Sequence, residues 1–299
     1  MRIDRQSDRT LGAIVVLSSG IWGLYWLPLR VTEANGVSNA WSIALFNACP
    51  ILVMLPYLVF FRKPQFESLR EIALVGTFTG TGMSFYAFGL VESEVVRATM
   101  LFYLTPVWST VIGYFWLGER FAPGRIAAIA IGLTGLFLLL SGLGPESAPL
   151  NVGDLFAFMS GIAWGFGAAG LKKWPNLPVA ATASMQFAVA TAVAAVAGVA
   201  FFSDPFPTSN ALLNSLPVAF APSVLLLLPS VLILFRISRL LFPGRVGILM
   251  MSEALVAVLS AWILIPEEKL TAWQWAGAAA IISAGLVELL WGNERRPIR

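Results

Sequence analysis

The sequence predicts an all-α integral membrane protein in which ten transmembrane helices form two inverted five-helix repeats around a central cavity. Three observations predict this fold: the composition, the asymmetric distribution of basic residues, and an internal repeat. Of 299 residues, 58% are apolar and only 12% are charged, and the mean hydropathy is +0.81. Soluble domains carry about 25% charged residues. This chain therefore has more apolar surface than one soluble core could bury, and we expect lipid to cover the remainder.

Ten stretches of the sequence are apolar and long enough to cross a bilayer, which takes about 20 predominantly apolar residues. They are residues 11–29, 40–60, 71–91, 97–117, 124–142, 154–171, 178–202, 211–235, 244–265 and 271–291. The remaining residues make only short connections and tails, so the sequence leaves no room for a separate soluble domain. Each stretch is predicted to be one membrane-crossing helix.

The basic residues predict the orientation of these helices. With the N-terminus in the cytoplasm and the spans alternating, 16 of the 19 Lys and Arg residues fall on the cytoplasmic side. They are Arg2, Arg5, Arg9, Arg62, Lys63, Arg70, Arg120, Arg125, Lys172, Lys173, Arg236, Arg239, Arg245, Arg295, Arg296 and Arg299. Only Arg30, Arg97 and Lys269 fall outside. Cytoplasmic loops of membrane proteins carry such an excess, so we expect both termini to be cytoplasmic.

An internal repeat relates the two halves of the chain. The segment SGIWG at 19–23 resembles SGIAWG at 160–165, and GERF at 118–121 aligns with EEKL at 267–270. The matches occur in order, at an offset of 141 to 149 residues. We therefore expect a first repeat over residues 1–145 and a second over 146–299. Because each repeat holds five spans, an odd number, the second must enter the membrane inverted, as in many secondary transporters.

Several functional classes are excluded by residues that the sequence lacks. There is no His and only one Cys, so His-based catalysis, a His metal site and an internal disulfide are ruled out. The pattern GxGxxG at 165–170 lies inside an apolar stretch, where it cannot hold a dinucleotide between a strand and a helix. The net charge of +3 lacks the dense basic face of a nucleic-acid-binding protein. We expect no enzyme activity, no metal, no cofactor and no nucleic-acid partner.

The sequence resembles the drug/metabolite transporter superfamily, in its ten-helix EamA-type branch. The residues that carry the resemblance are Trp22-Gly23, the matching Trp164-Gly165, Pro106, and the segment GER at 118–120. The aromatic content and the segment MSEA at 251–254 are similar to YddG-like aromatic amino-acid exporters. In those proteins a Pro typically follows the Glu of span nine, whereas Ala254 stands here. The resemblance implies two inverted five-helix repeats, a central cavity, and export of amino acids or related metabolites from a bacterial cytoplasm.

Glu253, in the middle of the ninth span, is the principal candidate for a substrate-binding residue. An ionisable group at that depth costs at least about 2.5 kcal/mol on insertion scales, so it should face a polar cavity or a partner. It could orient a substrate ammonium group or carry a coupling proton. The alternative is a structural hydrogen bond to a neighbouring helix. Ser252, directly before it, is assigned to the same site.

Trp22 and Trp164 occupy matching positions in the two repeats, and a two-fold axis would place them on either side of the midplane. Ser160 lies one turn before Trp164 and adds a hydroxyl group to its face. An aromatic plate beside a hydroxyl suits a solute with an apolar side chain and a polar head. Packing against lipid is the alternative.

Asn47 in span two, Tyr86 in span three and Tyr103 in span four complete the predicted site. Buried phenols need hydrogen-bond partners, which a hydrated cavity can supply. For Asn47, a hydrogen bond between helices is the alternative to ligand contact.

The sequence therefore predicts a secondary transporter that exports aromatic and other large neutral amino acids across the bacterial inner membrane by alternating access. A multidrug, lipophilic-cation or metabolite efflux transporter of the same fold is the alternative. The expected partners are an amino-acid substrate and the lipid bilayer. The coupling ion and the oligomeric state stay open, and a monomer is compatible with the sequence.

Overall fold

The regular secondary structure of the computed structural model is helical. The model describes residues 6–61, 68–93, 95–119, 123–140, 149–264 and 271–291. The helices of the first half are α1 (Asp8–Gly20), α2 (Trp26–Ala34), α3 (Asn39–Phe61), α4 (Leu69–Glu92), α5 (Val95–Phe102), α6 (Thr105–Leu117) and α7 (Pro123–Leu140). Those of the second half are α8 (Val152–Lys173), α9 (Val179–Ala200), α10 (Ser209–Pro222), α11 (Leu228–Ser238), α12 (Pro243–Met250), α13 (Ser252–Leu264) and α14 (Ala272–Trp291).

Seven helical segments in the described part of the chain are long and apolar enough to cross a membrane. They are Asp8–Ala34, Asn39–Phe60, Leu69–Glu92, Val152–Lys173, Val179–Ala200, Ser209–Ser238 and Pro243–Leu264. Two shorter apolar helices cover Pro123–Leu138 and Ala272–Val287. The prediction of an all-helical protein with several membrane-crossing helices is confirmed. The count of ten crossings stays a prediction.

The fourth predicted span is divided into two helices. α5 ends at Phe102, a turn covers Tyr103 and Leu104, and α6 begins at Thr105. Pro106 lies in the first turn of α6, where a residue without an N–H group costs no helical hydrogen bond. The sequence predicts one continuous helix over 97–117, and the early proline explains why a new helix starts here instead.

Three further spans contain irregular turns. The ninth is divided at Met251, between α12 and α13. The first contains a 3₁₀ turn at Ile21–Leu24, and the eighth a π-helical turn at Ser223–Leu227. Such irregular turns are frequent at functional sites in helical proteins. The 3₁₀ turn and the break at Met251 meet in the core, because the 3₁₀ turn packs against α13.

Helices from the two halves of the chain pack against each other throughout the molecule. α4 packs against α8 and α9, α3 packs against α9, and α7 packs against α14. α6 contacts α8 and α12. The helices approach closely where a glycine has no side chain. A Cβ atom on Gly82 of α4 would lie 3.1 Å from the Trp164 backbone nitrogen of α8. The halves therefore share one core.

Charged side chains collect at the two ends of the helices. At one end, Arg97 Nε lies 2.8 Å from Asp154 Oδ1, and we refer to it as the Arg97 end. At the other, the Arg125 end, Arg125 lies 3.2 Å from Glu119, and the buried Arg245 lies 3.8 Å from Asp8. Between these ends, the described core is largely apolar.

Several sequence expectations fall outside the described residues. They concern the repeat boundary at 145/146, the segment 267–270, and the basic residues Arg2, Arg5, Arg62, Lys63, Arg120, Lys269, Arg295, Arg296 and Arg299.

Candidate functional site

The centre of the candidate site is the Glu253 carboxylate, which lies at the start of α13 and has no solvent exposure. The Tyr103 phenol, in the turn between α5 and α6, donates a hydrogen bond to Glu253 Oε2 at 2.7 Å. The same phenol oxygen lies 2.8 Å from the Met250 carbonyl oxygen. One side chain from the break in the fourth span therefore contacts both sides of the break in the ninth span.

A chain of polar side chains extends from this carboxylate toward α3. The Tyr86 phenol lies close enough to interact with Glu253 and with Tyr25, and 3.4 Å separate its oxygen from Thr99 Oγ1. The Tyr25 phenol in turn accepts a hydrogen bond from Asn47 Nδ2 at 3.3 Å. These buried groups form what we call the carboxylate–phenol chain.

Two acceptor oxygens of this chain have no hydrogen-bond partner among the described residues: Glu253 Oε1 and Asn47 Oδ1. Buried polar atoms in proteins are nearly always hydrogen-bonded, so each such exception needs a cause. Glu253 Oε1 belongs to a carboxylate, and Asn47 Oδ1 is an amide oxygen. Each is buried and unpaired, so each is suited to accept a hydrogen bond from a cationic or neutral N–H donor of a ligand.

Trp22 and Trp164 contact each other beside the carboxylate–phenol chain. Their ring centroids are 5.4 Å apart in an edge-to-face arrangement, which is a favourable geometry for aromatic pairs. The Trp22 indole N–H donates to Ser230 Oγ of α11 at 2.8 Å. Gly23, the next residue, packs so closely on α13 that its Cβ atom would lie 2.5 Å from the Glu253 carbonyl oxygen. Through Gly23, the first span therefore brings Trp22 next to the backbone of Glu253 in the ninth span.

The two predicted serines are both engaged with backbone carbonyls. Ser160 Oγ donates to the Ala157 carbonyl of its own helix at 2.5 Å. Ser252 Oγ donates to the Val16 carbonyl of α1 at 2.9 Å and so connects the ninth span to the first. In this conformation both hydroxyls serve helix packing, and their predicted contact with a ligand stays a prediction.

All eight predicted site residues therefore lie in the region where the irregular turns of the first, fourth, eighth and ninth spans meet. Glu253, Tyr103 and Tyr86 form one group, Trp22 and Trp164 a second, and Asn47, Ser160 and Ser252 border them. Seven of the eight are buried, and Ser252 is partly exposed.

Tyr25 and Ser230 are absent from the site residues predicted from the sequence. Tyr25 could have been found, because it follows Trp22 by three residues and shares its helix face. Ser230 has no such local signal, since only the packing of α11 against the first span brings it to Trp22.

The chemistry of the site is that of a binding site. Within the described ranges, no three or more His, Cys, Asp or Glu side chains are grouped so that they could hold a metal ion. The site offers one carboxylate, three phenols and two indole rings. This combination can bind a cationic nitrogen and an apolar or aromatic body at the same time.

The family model and the named relatives that are similar to this chain are those of transporters. Residues 10–141 match the EamA-like transporter family. The S-adenosylmethionine uptake transporter of Rickettsia bellii (strain RML369-C) is 24% identical over 163 residues, covering 51% of this chain and 55% of that protein. The uncharacterized transporter YoaV of Bacillus subtilis (strain 168) is 24% identical over 156 residues, covering 48% and 51%. These matches therefore span about half the length of the curated relatives.

A solved crystal structure is similar over nearly the whole chain. It covers 95% of this chain and 99% of its own, with a TM-score of 0.70 and 19% sequence identity. At that identity the likeness shows the fold and carries no information about the substrate.

Proposed function

We propose a solute-transport function for this chain, whose residues 10–141 match the EamA-like transporter family. It is a multi-pass membrane protein, as the seven long apolar helices and the transporter relatives indicate. The finer proposal is a secondary transporter, and not an enzyme, that exports aromatic and other large neutral amino acids by alternating access.

The proposal includes ten membrane crossings, arranged as two inverted five-helix repeats over residues 1–145 and 146–299. Three pairs of equivalent spans support it, because each span contacts its counterpart: α3 with α9, α6 with α12, and α7 with α14. A two-fold axis in the membrane plane would produce such pairs. A central substrate cavity between the repeats is part of the same proposal.

We place both termini in the cytoplasm of a bacterium, with the chain in the inner membrane. Residues that the charge pattern assigns to one side contact each other. At the Arg97 end, the predicted outer side, Asn39 donates to Glu92 at 3.1 Å and the Ala40 N–H donates to Asp204 Oδ2 at 3.1 Å. At the Arg125 end, Lys172 donates to the Leu240 carbonyl at 2.8 Å.

The observation that carries the proposal is the buried Glu253 carboxylate. Tyr103 donates to one of its oxygens, the other is unpaired, and the first span, which carries the Trp22–Trp164 contact, packs on the same helix. In the proposed mechanism the unpaired oxygen accepts a hydrogen bond from the substrate ammonium group, and the indole rings contact its side chain. Helix breaks in the fourth and ninth spans allow the adjoining half-helices to tilt around this point.

The test is efflux from proteoliposomes loaded with labelled Phe or Met. We expect both solutes to leave faster than from protein-free liposomes. Glu253→Gln should slow efflux by roughly tenfold or more, because it replaces a charge-assisted contact with a weaker neutral one. Glu71→Gln, in the first turn of α4 away from the site, is the matched control and should transport like wild type. If neither amino acid leaves faster than from protein-free liposomes, the amino-acid proposal is wrong.

A second candidate substrate follows from the relatives. S-adenosylmethionine, which the Rickettsia relative is named for taking up, also carries an amino-acid group and adds a positive charge. The same carboxylate and indole rings could bind that cation. The alternative of lipophilic-cation efflux rests on the same groups. Efflux of labelled S-adenosylmethionine and of tetraphenylphosphonium, measured in parallel, distinguishes the three candidate substrates. The amino-acid proposal holds if Phe and Met are transported faster than either cation.

A further inference from the structure

A cavity at the Arg97 end of the helices lies apart from the buried site and has its own charged groups. Its volume is about 260 Å³. Its lining residues are Trp26, Arg30, Glu33, Leu90, Val91 and Ser93. Ligand pockets usually measure about 300–1,000 Å³, so this cavity suits a molecule smaller than a typical drug, such as a single amino acid.

The cavity presents one cation and one anion from the same helix. Arg30 and Glu33 of α2 are both exposed, and neither forms an ion pair with another described residue. The Arg30 guanidinium carbon lies 5.1 Å from the centroid of the Trp26 ring. A stacked guanidinium keeps its in-plane N–H donors available, and these match a carboxylate through two parallel hydrogen bonds.

The other lining residues present little apolar surface to the cavity, because Trp26 and Leu90 are buried. The Trp26 ring is held in place by a hydrogen bond of 3.1 Å from its indole N–H to Ser260 Oγ. Leu90 and Val91, from the last turns of α4, face the same space. The third polar side chain, Ser93, is already bound to Asp154 at 2.5 Å. Arg30 and Glu33 therefore provide the charges and dominate the surface that a ligand would contact.

The position of the cavity connects it with the buried site. Trp22, Trp26, Arg30 and Glu33 are spaced by four, four and three residues, which places them along one face of the first span. Trp22 lies in the buried site, Trp26 lines the cavity, and the two charges lie farther toward the helix end. A solute that leaves the site along this face would reach the cavity next.

We propose that this cavity is a second binding site, specific for the zwitterionic head of an α-amino acid. Arg30 binds the carboxylate, and Glu33 binds the ammonium group. The inference rests on the proposed function, because it names the head group that the transported solute must carry. It requires both charges on the ligand, so that an amine or a carboxylic acid alone binds weakly.

The test uses an accessible thiol in the cavity of the full-length chain. The native Cys49 is buried, so Val91→Cys provides the reactive thiol for a polar maleimide. At about ten times its Kd, Phe should slow labelling about tenfold by simple occupancy. Phenethylamine and 3-phenylpropionate, which each lack one charge, should protect far less at the same concentration. Equal protection by either analogue would contradict zwitterion recognition.

Two further variants show whether protection depends on the charged pair. Arg30→Gln and Glu33→Gln in the Val91→Cys background should each weaken protection by Phe by roughly tenfold or more, since each removes a charge-assisted contact. Arg70→Gln, an exposed arginine on the first turn of α4 at the opposite end, is the matched control and should keep full protection. Undiminished protection in the Arg30 and Glu33 variants would overturn the inference.

The outcome also separates this inference from the proposed function. Glu253→Gln should reduce Phe efflux but leave protection of the Val91→Cys thiol intact. If wild type transports Phe and the thiol is not protected, the cavity site is wrong and the transport proposal stands. If the thiol is protected and Phe is not transported, the cavity site stands and the transport proposal is wrong.

Discussion

The close packing of Gly23 against α13 makes Gly23→Ala a sharp test of the core. Gly23 lies in the 3₁₀ turn of the first span. A Cβ atom at this position would lie 2.5 Å from the Glu253 carbonyl oxygen, 2.6 Å from Val256 Cβ and 2.8 Å from the Ala257 nitrogen. Two of these three atoms belong to the backbone, so no side-chain rotation can relieve the overlap, and α13 itself has to move.

The size of the effect follows from these distances. Ordinary contacts between carbon atoms are about 3.5–4.0 Å, so α13 would have to shift by roughly 1 Å. Overpacking of a well-packed core typically costs about 1–3 kcal/mol. For large domains each kcal/mol lowers Tm by about 2–4 °C, so we expect a decrease of roughly 2–12 °C. Because Glu253 begins the displaced helix, transport should decrease too.

The assay is thermal denaturation of the purified variants in one detergent, followed by efflux from proteoliposomes. Gly20→Ala, three residues earlier, is the matched control, because its Cβ atom would meet only Val256 Cγ2 at an ordinary 3.5 Å. Alanine also has the higher helix propensity, so Gly20→Ala should leave Tm unchanged or slightly raised. If Gly23→Ala is as stable and as active as Gly20→Ala, the close contact between the first and ninth spans is refuted.

Two other predictions concern polar contacts at the site and at one end. Tyr103→Phe leaves the buried Glu253 without its phenol donor, so Tm should fall by several degrees. The Tyr103→Phe and Glu253→Gln effects on Tm should be less than additive, and strict additivity would exclude the contact. Arg97→Gln leaves Asp154 without its cation, and since the pair is mostly buried we expect a loss of about 1–3 kcal/mol. Adding Asp154→Asn should recover part of the lost Tm, and no recovery would show that the pair does not stabilise this end.

The bounds of the regular helices could be predicted closely from the sequence, because a helix that crosses lipid is a continuous run of mostly apolar residues. The stretch 178–202 corresponds to α9 (Val179–Ala200), and 154–171 to α8 (Val152–Lys173). Their ends follow from local chemistry, such as the Asn151 cap before α8. The break at Met251 could not be predicted, because no Pro or Gly adjoins it.

For the candidate site, the internal repeat was the most informative feature of the sequence. The matching positions of Trp22 and Trp164 suggested that they would lie on either side of a two-fold axis, and their rings are in contact. The bond between Tyr103 and Glu253 joins residues 150 positions apart. The periodicity of a helix does not pair them, so this contact depends on how the two helix breaks face each other.

The two carboxylate oxygens of Asp154 have different hydrogen-bond partners. These partners determine which contacts would be lost if Arg97 moved away from α8. Oδ1 accepts from Arg97 at 2.8 Å and from Ser93, whereas Oδ2 accepts from the Asn151 N–H at 2.9 Å. The Asp154 N–H in turn donates to the Asn151 side chain. Withdrawal of Arg97 would therefore break an ion pair without unwinding the first turn of α8. The cap at Asn151 would keep that end of α8 intact while its contact with Arg97 of α5 is lost.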